Sequence, residues 1–136
     1  MSRSALKAWY YFLTAIGTLA SSYYFNFLFF LLRDRYGFGD RQNLWVAALH
    51  GAIYIGAAVY GGRFAERRGY HTSLLWGFGG VAAVIGLSAA ATSPAAVLVG
   101  VASYTVVLLF IWPALEALVV EGVPPERVPD RVGLYN

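Results

Sequence analysis

The chain has 136 residues, 59% of them hydrophobic and only 12% charged, with a formal charge of +3. A soluble domain carries about 25% charged residues, so this sequence lacks the polar surface of a water-soluble globule. Cysteine is absent, which excludes disulfides, thiolate metal sites and cysteine nucleophiles. The two His are far apart in sequence, which argues against a zinc site, and no residue pattern asks for a metal or other cofactor. The basic residues sit in short clusters between apolar runs rather than along one polar face, which argues against a nucleic-acid partner. The composition is that of an all-α integral membrane protein.

The first span is expected over residues 8–32, the 25 uncharged positions between Lys7 and Arg33. About 20 such residues cross the hydrocarbon core, and the run is too long for the apolar part of a secretory signal. Within it Thr14, Thr18, Ser22 and Asn26 recur every fourth residue, with Ser21 beside them. Such a stripe gains nothing from lipid and is expected to face protein or a water-filled cavity. Trp9, Tyr10 and Tyr11 at one edge suit an interfacial aromatic belt.

The second span is expected over 43–62, with His50 and Tyr54 one turn apart. His50 suits either a proton carrier or a neutral packing residue bonded to a neighbouring helix. The third span is expected over 72–91 and the fourth over 95–120. Thr92-Ser93-Pro94 between them predicts a tight helical hairpin. In the fourth span Pro113 predicts a kink, and Thr105, Leu109, Trp112 and Glu116 fall on one helical face. Glu116 lies about one turn inside the span's end, as a proton-titrating or substrate-pairing group or as an ion-pair partner of Arg67 or Arg68. Small residues four apart (Ala47/Gly51, Ala52/Gly56, Gly79/Ala83, Ala82/Gly86 and Gly86/Ala90) predict close helix packing. Residues 121–131, EGVPPERVPDR, hold three prolines and five charges and cannot be membrane-embedded helix. An apolar stretch restarts at Val132. Seven Lys/Arg fall on the side of the termini and three on the other, which predicts both termini in the cytoplasm.

The link between the second and third spans reads GGRFAERRGYH, Gly61 to His71. Gly62 removes a side chain where two helices could meet closely. Glu66 suits the positive end of the third helix, and Gly69 permits a positive φ in a tight turn. The pattern Gly62-x-x-x-Glu66-Arg67-x-Gly69 resembles the signature loop of the major facilitator superfamily of transporters, which lies between the second and third helices. Glu66 stands where the family has Asp, and Tyr70-His71 replace its two basic residues, removing most of the charge at the loop's end. Pro124, Pro125 and Arg131-Val132-Gly133 resemble the family's link into a fifth helix.

The resemblance implies the N-terminal part of a major-facilitator-type helical bundle, with Gly62, Glu66, Arg67 and Gly69 controlling conformation. Family members have about twelve spans, so the expectation is an incomplete transporter whose remaining helices are missing here. In the family the first helix lines the substrate cavity, which makes Tyr24 and Asn26 contact candidates. Thr18, Ser22, His50, Trp112 and Glu116 complete the candidate lining. The fourth span lacks the family's Arg-centred antiport motif, so drug–proton antiport is not supported. Competing readings are a stand-alone four-span scaffold and a homo-oligomeric small transporter, although the latter normally needs an acid in its first span. No paired acids, His cluster or Ser–Lys pair lies at depth, which argues against an enzyme. The expected setting is the cell (inner) membrane. The expected partners are membrane lipid, the remaining helices or copies of the chain itself, and a small-molecule substrate of unknown identity.

Overall fold

The computed structural model describes residues 3–135. Asn136 lies outside the described residues, as do the side chains of Arg3 and Arg131 used in the charge tally. Among the described residues six α-helices and one 3₁₀ turn follow in order: α1 (Arg3–Tyr36), α2 (Asp40–Arg68), α3 (Tyr70–Ser88), α4 (Pro94–Leu108), α5 (Trp112–Val120), the turn Pro125–Arg127 and α6 (Val128–Tyr135). Four stretches are long and apolar enough to cross a membrane: Ala5–Tyr36, Asp40–Arg68, Tyr70–Ser88 and Pro94–Val120. The last comprises α4 and α5.

The helices end where local chemistry ends them. At the end of α1, Gly37 N–H donates to Arg33 O (3.0 Å) and Phe38 N–H to Leu32 O (3.1 Å). Gly37 takes a φ of 70°, the left-handed glycine that closes such a motif. The Gln42 side chain then accepts from Gly39 N–H at 2.7 Å, and Asp40 sits favourably in the first turn of α2. Between α3 and α4, Ser93 Oγ accepts from Ala96 N–H (3.2 Å), with Pro94 in the first turn of α4. The hairpin predicted from Thr92-Ser93-Pro94 is present.

Two links differ from expectation. Helix α2 runs through Gly62 to Arg68, so the stretch read as a loop is mostly helix and the link to α3 is Gly69 alone. Gly69 has a φ of 89°; its N–H donates to Ala65 O and its O accepts from Ser73 N–H. A one-residue connection works because that glycine caps one helix and starts the next. Glu66 therefore lies in the last turn of α2 rather than at the start of α3. It is exposed, and no ion pair involving it occurs among the described residues. At the other end of the chain, helix resumes at Val128, ahead of the expected apolar restart.

The interior forms two clusters. One gathers Tyr10, Ala65, Leu74, Tyr104, Leu108, Ile111 and the α5 residues Ala114, Leu115, Leu118 and Val119. The other joins Leu28 and Leu32 of α1 to Val46 of α2 and Val101 of α4. In α1 the buried positions are Tyr10, Thr14, Ser21, Leu28 and Leu32, a spacing of four and seven that marks one seam. Tyr10 is thus a core residue, 6% exposed, and not part of an interfacial belt; its Oη lies 3.3 Å from His71 Nε2. Large apolar side chains such as Leu19, Phe27, Trp45, Leu75 and Trp76 point outward. Such a surface fits hydrocarbon and not water.

Candidate functional site

Pro113 shapes the molecule's most irregular point. It has no N–H to offer Leu109 O, and the ladder breaks: α4 stops at Leu108 and α5 starts at Trp112. Across the break Phe110 N–H donates to Val107 O and Ile111 N–H to Leu108 O, before Leu115 N–H→Ile111 O restores the α pattern. Freed carbonyls inside a membrane must find partners. Ser73 of α3, 0% exposed, donates its hydroxyl to Phe110 O at 2.7 Å. Gly61 of α2 packs so closely that a Cβ there would collide with the Leu109 carbonyl. On α3, a Cβ at Gly77 would run into Ile111 and one at Gly80 into Val107.

The close-contact glycine is therefore Gly61, whereas a Cβ at Gly62 would meet nothing within 4 Å. The four-residue small pairs fare similarly: a Cβ at Gly51, Gly56, Gly79 or Gly86 would meet nothing within 4 Å. The break also turns the phase of the fourth span. Thr105 and Leu109 are buried and Trp112 is half-buried, while Glu116 is exposed. These four residues do not share a face, and no ion pair joins Glu116 to Arg67 or Arg68 among the described residues.

Farther along the spans, α1, α2 and α4 meet in a polar–aromatic cluster. Ser21 Oγ and Tyr104 Oη are 3.2 Å apart and share a hydrogen bond. The Tyr24 ring stacks on Tyr104 with centroids 4.5 Å apart. Phe25 lies edge-on to Tyr104 and 4.1 Å from the His50 ring. Thr105 Oγ1 donates to Val101 O at 2.9 Å, and His50 Nδ1 lies 2.7 Å from the same hydroxyl. A hydroxyl has one proton, and Thr105 has spent it. His50 Nδ1–H must then be the donor, which leaves Nε2 as the acceptor of the neutral ring. The histidine is held by a neighbouring helix, as in the packing reading, yet it keeps one nitrogen available.

Of the expected lining residues, the fold brings Tyr24 and His50 together. Thr18, Ser22 and Asn26 lie outside the cluster on an exposed face of α1, where Asn26 Nδ2 donates to Ser22 O (2.7 Å). Thr14 is buried and bonded to Tyr10 O (2.9 Å). The sequence stripe is thus split between the bundle seam and an open face. Tyr104, Phe25 and Ser73 were not singled out by the sequence; the heptad seam through Ser21 is the signal that points across to Tyr104.

A family model described as Major Facilitator Superfamily matches residues 1–136. No curated protein and no solved structure matches the chain.

Proposed function

The chain belongs to the major facilitator superfamily, and from that premise we propose that it serves a secondary transporter moving a small solute by alternating access. An integral membrane protein of this family is a transporter, not a soluble enzyme. The finer reading places the solute path along the open face of α1. One observation carries it: Thr18, Ser22 and Asn26 form an exposed polar lane within a membrane span. Hydrocarbon is a poor medium for that lane, so water, solute or further helices are its natural occupants. Tyr24 and His50 stand beside it as the ordered wall, with His50 Nε2 as a hydrogen-bond acceptor. Gly62, Glu66, Arg67 and Gly69 act on conformation rather than on the solute, since they sit at the helix ends. Trp112 and Glu116, at and beyond the break, are assigned the lower edge of the path.

The partners in this reading are membrane lipid and additional helices that complete the cavity, supplied by the rest of a transporter or by copies of the chain. The setting is the cell (inner) membrane, with both termini cytoplasmic. The absence of cysteine makes the test clean. Single Ser22→Cys and Asn26→Cys variants should react with a membrane-impermeant thiol reagent. Ile16→Cys and Phe27→Cys, on the apolar side of the same helix, should react at least about tenfold more slowly. Equal rates on both sides of α1 would overturn the assignment.

A further inference from the structure

One residue of the polar–aromatic cluster, Thr105, is out of a solute's reach yet sets what His50 can bind. His50 lies about 15 Å along α2 from its start at Asp40, near the depth at which transporters of this kind hold their solutes. Its Nδ1 is 2.7 Å from Thr105 Oγ1, and that hydroxyl already donates to Val101 O. Thr105 is fully buried, so water does not compete for the lone pair that remains. The bond between the two side chains therefore runs from Nδ1–H to Oγ1.

The other ring nitrogen is open. Among the described residues His50 Nε2 makes no hydrogen bond. It is also not among the side-chain atoms buried without one, which are Tyr11 Oη, Tyr36 Oη and Asn43 Oδ1. Phe25 from α1, 4.1 Å away between centroids, and Tyr54 from the same helix, at 6.3 Å, hold the plane of the imidazole. Tyr54 is 43% exposed, so this edge of the cluster opens to the surroundings. No ion pair reaches His50 among the described residues. A neutral ring with its proton on Nδ1 presents a lone pair alone at Nε2.

We propose that Thr105 is a positioning residue of the solute site, a role that rests on the path proposed above. By accepting from Nδ1–H it fixes His50 as an acceptor, so the solute taken at this depth is one that presents an O–H or N–H to Nε2. A hydroxyl or amine completes its own hydrogen bond there. A carboxylate, phosphate or ether oxygen brings a second lone pair to the same point, and both groups lose water without gaining a partner. Selection of this kind is steep, because a site built around a polar group rejects the analogue that cannot pair with it.

The test is ¹⁵N nuclear magnetic resonance of the full chain, labelled at histidine and held in non-ionic micelles in mildly alkaline buffer. The chain has two histidines, and His71→Gln identifies the signals that belong to His50. The unaltered chain should carry the His50 proton on Nδ1. Thr105→Ser, which keeps the hydroxyl, should do the same, whereas Thr105→Val should move at least about half of the population to Nε2–H. Phenol should shift the Nε2 signal saturably and bind at least about tenfold more tightly than anisole, its methyl ether. In Thr105→Val that ratio should fall to about threefold or less. A proton on Nε2 in the unaltered chain overturns the proposal, as does a tautomer that ignores Thr105→Val. Equal responses to phenol and anisole, or none to either, overturn it too. If Thr105→Val is not recovered folded, the phenol–anisole ratio of the unaltered chain decides. Equal thiol rates on both sides of α1 with that ratio intact would remove the path and leave the donor-selective site standing.

Discussion

The helix break at Leu109–Ile111 and the open face of α1 are both polar places inside a membrane span, and the molecule treats them in opposite ways. At the break that Pro113 opens, neighbouring helices close in on the backbone: Ser73 donates to Phe110 O, and Gly61 packs against the Leu109 carbonyl. On α1, Thr18, Ser22 and Asn26 stay exposed, and the bond from Asn26 goes only to its own helix. Polar groups that serve architecture are consumed by neighbouring helices. Those left open are the ones available to a solute or to water.

The comparison is broken most easily at Gly61. Gly61→Val forces a side chain into the Leu109 backbone and should destabilise the bundle by about 3 kcal/mol in a reversible unfolding titration. Gly62→Val, one residue on, should change it by no more than about 0.5 kcal/mol. Ser73→Ala leaves the Phe110 carbonyl without its donor and should cost about 1–2 kcal/mol. A double-mutant cycle between His50→Phe and Thr105→Val should give a coupling of about 1 kcal/mol, the usual size for such a bond between membrane helices. Asn26→Ala should cost about 0.5 kcal/mol or less, because it removes no contact between helices. A loss near that of Ser73→Ala would mean that the open face is structural after all.

Much of this arrangement is legible in the chain. Hydropathy marks the four spans, Thr92-Ser93-Pro94 marks the hairpin, Pro113 marks the break, and the Gly62–Gly69 pattern marks the family. Hydropathy reports hydrocarbon thickness and not where hydrogen bonding stops, so α2 running on to Arg68 is invisible to it. Which of two adjacent glycines meets another helix depends on about 100° of helical phase, and that phase is set by the neighbouring break. The same rotation separates Glu116 from Thr105, which an unbroken helix would have kept on one face. Tyr10 looks interfacial from its position beside Trp9, yet the α1 seam turns it inward to His71. Local pattern gives the elements; the pairing of faces is a property of the whole bundle.

The most direct test of the closed break is the infrared frequency of a single ¹³C=¹⁸O label at the Phe110 carbonyl. With Ser73 present the band should lie at the lower frequency of a hydrogen-bonded carbonyl, and Ser73→Ala should move it to that of a free one. Asn26→Ala should leave it in place. A band already at the free-carbonyl frequency with Ser73 present, or one that does not move in Ser73→Ala, would contradict the account.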